Sequence, residues 1–246
     1  MEYRDWAPQY ERLRAEFGFS MERERAAADL LESLLPARAR SDPLGRLRAR
    51  LEGRDAIVVG QAPSAGPPPL WRRAAGGRPP AILAADGAAV TCLGAGLVPD
   101  LVVTDLDGPV ASEVSANRRG SLVVVHANGD NTTALREWVP EFPGELVGSW
   151  AGPPRKALVD VGGFTDGDRA AFLAEHLGSS RLLLWGFDFE RVEEPEATRA
   201  RKLAKLRWAG ELLGLLAAHA RVPVLLWDRD GSIRPYPYER YGASTR

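Results

Sequence analysis

The sequence is poor in side chains that form disulfides or bind soft metals, with one cysteine, Cys92, and three histidines among 246 residues. A lone cysteine excludes an internal disulfide and a cysteine-rich zinc site, and it is compatible with a reducing cytoplasm. Cys92 also lies in a helix-like stretch, Thr91 to Leu93, which argues against a nucleophilic role.

The sequence also lacks a strong net charge and long apolar runs. Its formal net charge is −1, so the chain as a whole has no electrostatic bias towards nucleic acid or membranes. The basic cluster from Arg199 to Arg207 is interpreted as a solvated helix face. Because no run of about 18 apolar residues occurs and the first residues are charged, we expect neither a transmembrane helix nor a signal peptide. These absences predict a cytoplasmic protein with no nucleic-acid or membrane partner.

Residues 1–50 contain no valine, isoleucine or threonine and are rich in Arg, Glu, Ala and Leu. Ser20 can cap a helix whose first turn carries Glu22 and Glu24, where carboxylates suit the helix dipole, and Pro36 limits the extent of that helix. The sequence therefore predicts an N-terminal helical segment over residues 1–50, followed by an α/β domain with a C-terminal tail over 51–246. The segment is expected to dock on the core or on a partner subunit, which leaves a homo-oligomer open.

From residue 55 onwards, short runs of Val, Ile, Leu and Ala recur, each followed by a loop and a helix-like stretch. Such runs are apolar on both faces, as strands of a parallel sheet covered by helices must be. The predicted strands are residues 56–60, 81–85, 101–104, 121–125, 157–161, 181–185 and 222–227. Their alternation with helices predicts a doubly wound α/β fold with a mainly parallel sheet and flanking helices.

Aspartates follow most of these predicted strands. Any one of them could be a helix cap or a turn residue. However, the carboxyl ends of parallel strands share one sheet edge, where open α/β folds bind ligands. The residues concerned are Asp86, Asp105, Asp107, Asp130, Asp166, Asp168 and Asp188. Because clustered carboxylates repel one another, the pattern favours a divalent cation with oxygen ligands, and Mg²⁺ usually binds one or two carboxylates plus substrate phosphates.

Two glycine-rich stretches are suited to phosphate groups. GGFTDGDR, residues 162–169, places Gly163 and Thr165 at a predicted helix start, where backbone N–H groups and the helix dipole favour an anion. The loop after the first predicted strand, VVGQAPSAG, contains Gly60 and Ser64 but lacks the GKS or GKT ending of a Walker A loop. Together with the carboxylates, these loops predict Mg²⁺-dependent chemistry on a phosphate-bearing substrate.

The stretch DLDG, residues 105–108, leaves three interpretations open: a polar turn, a nucleophile loop and a metal-binding edge. It resembles the DxDGT loop of haloacid-dehalogenase-type phosphatases, in which the first Asp attacks phosphorus. In that family the loop follows the first strand of the core. Here two strand–loop–helix units precede it, which favours the metal-binding interpretation.

Five motifs together resemble those of the archaeal 6-hydroxymethyl-7,8-dihydropterin pyrophosphokinases, which share a catalytic fold with thiamine pyrophosphokinases. The motifs are AADGA (84–88), PDLVVTDLDG (99–108), VVHANGDN (124–131), GGFTDGDRAAFLAEHLG (162–178) and LWGFDFE (184–190). The resemblance implies transfer of a diphosphate from ATP to the hydroxymethyl group of a reduced pterin, with Mg²⁺ as cofactor and AMP as product. It places the reaction in tetrahydromethanopterin or folate-type biosynthesis. A thiamine diphosphokinase and a related flagellin-modifying glycosyltransferase stay open as alternatives.

The resemblance also implies roles for individual residues, which we state as expectations. The catalytic set is Asp105, Asp107, Asp130, Asp168 and Arg169, and the metal ligands are drawn from Asp105, Asp107, Asp130, Asp166 and Asp168. The residues expected to contact ATP or the pterin are Gly60, Ser64, Asp86, Asn131, Gly163, Thr165, Asp166 and Asp188. Asp86 or Asp188 is expected to accept two N–H bonds from the amino-amide edge of the pterin.

Overall fold

The computed structural model describes residues 3–62, 66–68, 78–193 and 195–237. Four helices precede the first strand: α1 (Tyr3–Phe17), α2 (Met21–Leu34), α3 (Ala37–Arg40) and α4 (Pro43–Leu51). The Ser20 side chain caps α2 by accepting a hydrogen bond from the Arg23 N–H, as predicted. The helix ends two residues before Pro36, and Pro43 occupies the first turn of α4, where its missing N–H is harmless.

The described residues contain nine strands in a single sheet. They are β1 (Asp55–Val59), β2 (Ala81–Ala85), β3 (Leu101–Thr104), β4 (Leu122–Ala127), β5 (Leu146–Trp150), β6 (Leu158–Val159), β7 (Arg181–Trp185), β8 (Val224–Trp227) and β9 (Ile233–Pro235). Their order is β6-β5-β4-β3-β2-β1-β7-β8-β9, and only the pairing of β8 with β9 is antiparallel. The chain order therefore reverses between β1 and β7, which is the position where doubly wound folds form a ligand crevice.

Helices cover both faces of this sheet. After β2 come α5 (Ala88–Gly94), α6 (Val110–Arg118), α7 (Thr132–Trp138) with a short 3-10 helix (Val139–Glu141), α8 (Asp166–His176) and α9 (Glu196–His219). One apolar layer joins alternate strand residues to α8 and α9, and the other joins the remaining strand residues to α2, α5 and α6. The predicted doubly wound α/β fold is confirmed.

The N-terminal helices contribute to both apolar layers of this same chain. Leu13 and Leu47 lie in the layer under α8 and α9, while Leu31 and Leu35 lie in the opposite layer. All four side chains are 0–2% exposed. The segment thus packs as part of the core.

Two strands were not predicted, and one is shorter than predicted. The sequence of β5, LVGSW, contains a glycine and a serine, both unusual in a buried strand, yet all five residues are buried. β9 is exposed and pairs on one side only. The predicted strand over 157–161 pairs only at Leu158–Val159, because the Asp160 carboxylate turns to accept a hydrogen bond from the Gly162 N–H.

Cys92 lies in α5 and is fully buried, and burial raises the pKa of its thiol to about 11. It is therefore a packing residue, as its sequence context indicates. Within the described parts of the chain, no helix is long and apolar enough to cross a membrane.

Candidate active site

A cavity of about 790 Å³ lies at the carboxyl ends of the central strands. The loops after β4, β3, β2, β1 and β7 form its floor, and α1, α2, α8 and α9 contribute side chains to its walls. Six of the seven aspartates singled out in the sequence line it: Asp86, Asp105, Asp107, Asp130, Asp166 and Asp188. The expected convergence on one sheet edge thus occurs for all but Asp168.

Asp105 lies at the centre of this floor, directly after β3. Its Oδ2 accepts a hydrogen bond of 3.0 Å from the Asn128 side chain, while its buried Oδ1 has no partner among the described residues. The next residue, Leu106, adopts a left-handed backbone conformation (φ 65°) that is uncommon for leucine. Its N–H donates to the Thr104 hydroxyl at 2.9 Å, which holds this turn between Asp105 and Asp107.

The carboxylates on the floor repel one another strongly. Burial and the neighbouring Asp107 raise the pKa of Asp105 to about 7, although the ammonium group of Lys205 opposes this. Burial, Asp105 and Asp86 together raise the pKa of Asp166 well above its usual value. A cation placed among these groups would relieve both the repulsion and the desolvation penalty.

The donor set fits Mg²⁺ bound together with a substrate, and does not fit a closed protein cage. Within the described ranges, no three His, Cys, Asp or Glu side chains form a ready-made metal centre. Mg²⁺ characteristically uses one or two carboxylates, water and substrate phosphates. Asp105 has an unsatisfied buried oxygen, and Asp107 is exposed beside it in the cavity. These two residues are therefore suited to hold the ion.

Asp168 is placed differently from the other aspartates. It is fully buried and lies outside the cavity lining, and its carboxylate accepts hydrogen bonds of 2.7 Å from the N–H groups of Phe164 and Thr165. The Thr165 hydroxyl donates to the same carboxylate. Both oxygens are thus used to hold the loop that begins α8, which departs from the metal-ligand role suggested by the sequence.

The loop before α8 requires glycine at position 163, the second glycine of GGFTDGDR. Gly163 has φ +91°, and a Cβ atom there would lie 2.5 Å from the Arg169 Cα. A side chain is therefore excluded at Gly163 by both backbone conformation and space. The loop brings Thr165, Asp166 and the start of α8 to the cavity wall.

Other predicted contact residues occupy varied positions. Asn131 is buried and donates its side-chain N–H to the backbone oxygens of Asp105 (2.7 Å) and His126 (2.8 Å), so it joins the ends of β3 and β4. Asp188 lines the cavity but uses Oδ1 to accept from two N–H groups of its own turn. Gly60 lines the cavity at the β1–β7 end, whereas Ser64 lies outside the described residues.

Basic side chains line the cavity from α8, from α9 and, at Arg191, from the loop after β7. Arg169 is 3% exposed, and its guanidinium donates to the Phe164 backbone oxygen at 3.4 Å. On α9, Arg201, Lys202 and Lys205 face the cavity. Part of the basic stretch from Arg199 to Arg207, which was expected to be a solvated helix face, therefore lines the cavity.

The strand β7 ends at Trp185, and Gly186 follows it with φ +73°. Phe187 and Phe189 therefore lie in the loop after β7, where they line the cavity and also pack against the apolar layer under α8 and α9.

His126, at the end of β4, is 5% exposed and also lines the cavity. Its Nδ1 lies 3.0 Å from the Ser149 hydroxyl, and burial lowers the pKa of the imidazole well below 6.5. The ring is therefore neutral at physiological pH.

Two buried carboxyl groups near the site were not identified as site residues from the sequence. Glu113 on α6 is fully buried and accepts from the Thr104 hydroxyl at 3.1 Å. Burial and its hydrogen bond with Asp86 raise the pKa of Glu113 to about 9, so it is protonated at neutral pH. Glu24 on α2 is 4% exposed and lines the cavity. A signal was present in both cases, since each residue lies on the buried face of its helix, three residues before a buried alanine.

Comparisons with known proteins agree on one group of enzymes. The family model described as "6-hydroxymethylpterin diphosphokinase MptE-like" matches residues 34–194. A protein of Methanothermobacter thermautotrophicus named 6-hydroxymethyl-7,8-dihydropterin pyrophosphokinase is 35% identical over 240 residues, which cover 92% of this chain and 100% of that protein. Proteins with the same name from Pyrococcus furiosus (35% over 236 residues, 92% of this chain and 98% of that one) and Methanocaldococcus jannaschii (35% over 202 residues, 77% and 80%) also match.

Among solved structures, the MAf glycosyltransferase from Magnetospirillum magneticum AMB-1 matches with a TM-score of 0.43 and 16% identity. The match covers 75% of this chain and 35% of that one.

Proposed function

This chain belongs to the MptE-like family of 6-hydroxymethylpterin diphosphokinases, and we propose on this basis that it transfers a diphosphate from ATP to the hydroxymethyl group of 6-hydroxymethyl-7,8-dihydropterin, releasing AMP. The product would serve pterin coenzyme synthesis of the tetrahydromethanopterin or folate type.

One observation supports this reaction above all: paired carboxylates, basic side chains and a helix start converge on a single cavity of about 790 Å³. Diphosphate transfer needs little covalent chemistry from the protein, because it depends on positioning two substrates and stabilising charge on the phosphates. Such a cavity falls within the usual volume range for small-molecule sites.

Asp105 and Asp107 would hold Mg²⁺. When bound, the ion supplies charge neutralisation at phosphate oxygens. The reaction would join the hydroxymethyl oxygen of the pterin to the β-phosphorus and break the bond between that phosphorus and the oxygen bridging it to the α-phosphate.

The protein's own groups would complete the chemistry. Lys202 and Lys205 would provide positive charge from α9, and Arg169 would provide it from α8. Positive groups fixed next to the transferred phosphates stabilise the charge that develops there. Asp166, which lines the cavity at the start of α8, would accept the proton of the attacking hydroxyl.

An acceptor panel tests this function. The purified protein would be incubated with ATP and Mg²⁺ and, separately, with hydroxymethyl-dihydropterin, thiamine or no acceptor, and AMP would be measured by chromatography. We expect AMP only with the pterin.

Each other outcome points to a different enzyme. Faster turnover of thiamine would indicate a thiamine diphosphokinase, and release of phosphate or ADP in place of AMP would indicate a phosphatase or a simple kinase. Binding of Mg-ATP without turnover of any acceptor would contradict the proposed catalysis.

A further inference from the structure

We propose that Glu24, on the N-terminal helix α2, binds the amino-amide edge of the pterin at the β4–β5 end of the cavity. This inference rests on the proposed function and identifies the residue that recognises its acceptor substrate. It differs from the expectation that Asp86 or Asp188 performs this role.

The cavity has two chemically different ends, separated by the Asp105 region. Because the strand order is β5-β4-β3-β2-β1-β7, the residues after β4 and β5 lie on one side of Asp105, and those after β1 and β7 lie on the other. The β1–β7 end includes Gly60 and Gly186. Lys205 is close enough to lower the pKa of Asp105 by its charge.

The β4–β5 end has a different lining. It contains Tyr10, Glu24, His126 and Ala151, together with Phe164 and Arg169. The positive charge of Arg169 opposes the rise that burial causes in the pKa of Glu24 and adds to the fall that burial causes in the pKa of His126. A carboxylate here would repel the phosphates of ATP, but it would attract a neutral ring that presents two N–H donors. A pterin is flat and has an amino-amide edge, so it matches both the aromatic side chains and the acceptor.

Glu24 and the neighbouring Tyr10 form a buried polar pair on the cavity wall. The side chain of Glu24 is 4% exposed, and it forms no ion pair with any described residue. The neighbouring Tyr10 is 3% exposed, and its hydroxyl lacks a well-formed hydrogen bond within the described part of the chain, although it is near enough to affect the pKa of Glu24. Buried polar groups are normally satisfied, so the unsatisfied Tyr10 hydroxyl beside the Glu24 carboxyl points to a polar ligand at this wall of the cavity.

The position of Glu24 is fixed by the loop after β4. A Cβ atom on Gly129 would lie 2.9 Å from the Arg23 Cβ and 3.3 Å from the Glu24 backbone nitrogen, so glycine allows α2 to approach this loop closely. The Arg23 guanidinium forms an ion pair of 2.9 Å with Asp130 across the same contact. Asp130 thus helps to place α2 against the site.

A purely structural role explains Glu24 less well. A carboxylate in the first turn of a helix interacts favourably with the helix dipole, but Glu22 provides this from an exposed position. Nothing about that role requires burial, which raises the pKa of Glu24 and opposes its charged form.

Steady-state kinetics of Glu24→Gln, with Glu22→Gln as the matched control, test the proposal. A carboxylate can accept two parallel N–H bonds, whereas the amide keeps one acceptor and presents a donor to the other N–H. We expect the KM for hydroxymethyl-dihydropterin to rise roughly 10- to 100-fold in Glu24→Gln, as for the loss of a hydrogen bond to a charged group. The KM for ATP should stay within about 2-fold, and Glu22→Gln should behave as wild type.

A substrate analogue without the 2-amino group gives a second readout that a structural role would not change. The wild type should bind this analogue more weakly than the pterin in calorimetry, and Glu24→Gln should discriminate much less between the two. Wild-type discrimination in a folded Glu24→Gln, or equal rises in both KM values, would overturn the proposal. If the wild type makes no AMP from the pterin, the proposed function fails instead, and the two failures are distinct.

Discussion

At the scale of single residues, the site is defined by carboxyl groups whose protonation differs with position. Burial and the neighbouring Asp107 raise the pKa of Asp105 to about 7. Glu113 stays protonated because it is fully buried beside Asp86. Carboxyl groups such as Asp105 can be identified from the sequence, because they directly follow apolar strands. Buried carboxyl groups such as Glu113 cannot, because the residues that surround them come from other elements of the fold.

Replacing Asp105 or Asp107 by Asn should cut the turnover number for AMP formation by about 10²-fold or more. Each substitution removes a negative charge from the proposed Mg²⁺ site, and the loss is comparable to that of an electrostatic contact in the transition state. Asp230→Asn, at an exposed position outside the cavity, is the control. Near-wild-type turnover in both site variants would contradict the proposal that Asp105 and Asp107 hold Mg²⁺.

Glu113→Gln should make the stability of the protein less sensitive to pH. The pKa of Glu113 is about 9 in the folded chain, against 4.5 for an unperturbed glutamate, so the folded chain keeps a proton that the unfolded chain releases. The stabilisation from this proton is complete below pH 4.5 and is lost as the pH rises towards 9, at about 1.4 kcal/mol per pH unit at most.

Glutamine is always neutral, and its NH₂ group can replace the carboxyl proton as the donor to Asp86. Between pH 5 and 9, the free energy of unfolding measured with urea should therefore fall more in the wild type than in Glu113→Gln. The same exchange at the exposed Glu137 should leave the wild-type slope unchanged. Parallel pH curves for wild type and Glu113→Gln would contradict the assignment of a protonated Glu113.

At the scale of elements, the sequence was most informative where a strand is apolar throughout. All seven predicted runs contain strands, because a buried parallel strand needs a largely apolar sequence, and the run at 157–161, which contains Asp160, forms a strand of two residues only. β5 was missed, since Gly148 and Ser149 interrupt its pattern. A Cβ atom at Gly148 would clash with a methyl carbon of Leu158 and would lie 2.7 Å from one of Leu35, so both buried leucines would have to shift. No local pattern carries that information.

The start of α8 was likewise only partly predictable from its local sequence. Sequence reasoning located the loop and the helix start from GGFTDGDR. It could not decide which of Asp166 and Asp168 faces the cavity, because both lie in the first turn of the helix. In the structure, both carboxylate oxygens of Asp168 accept hydrogen bonds from the loop before α8, and this residue does not line the cavity.

Asp168→Ala should destabilise the fold by roughly 2–4 kcal/mol. The substitution leaves the N–H groups of Phe164 and Thr165 without their acceptor, and an unsatisfied buried group costs about 1–3 kcal/mol. Ser20→Ala is the comparison, because Ser20 caps α2 with one exposed bond of 3.4 Å and its loss should cost only about 1 kcal/mol. Urea unfolding measures both, and equal losses would show that Asp168 is no more than an ordinary cap.

At the scale of the whole molecule, residues 1–50 and the sheet domain share their apolar layers. Composition predicted the boundary near residue 50, but it gave no indication of how tightly the two parts pack. The structure places leucines of α1, α2 and α4 among the strands and α8. If Glu24 binds the pterin, the same helices also complete the active site.

A chain consisting of residues 51–246 should therefore fail to fold cooperatively. It would lose Leu13, Leu31, Leu35 and Leu47, each at most 2% exposed. Truncating a buried leucine to alanine alone costs about 2–5 kcal/mol, so even the lower value for four of them is about 8 kcal/mol. That loss is comparable with the entire stability of a typical domain, which is about 5–15 kcal/mol.

Far-ultraviolet circular dichroism and thermal unfolding would check this expectation, with Leu31→Ala in the full-length chain as a graded comparison. The point variant should unfold cooperatively at a lower temperature, whereas the truncated chain should show no sharp transition and no catalysis. A truncated chain that unfolds sharply would show that the sheet and its remaining helices suffice as a folding unit. In that case, its loss of pterin turnover together with retained ATP binding would assign the N-terminal helices to substrate recognition, since they carry Tyr10 and Glu24.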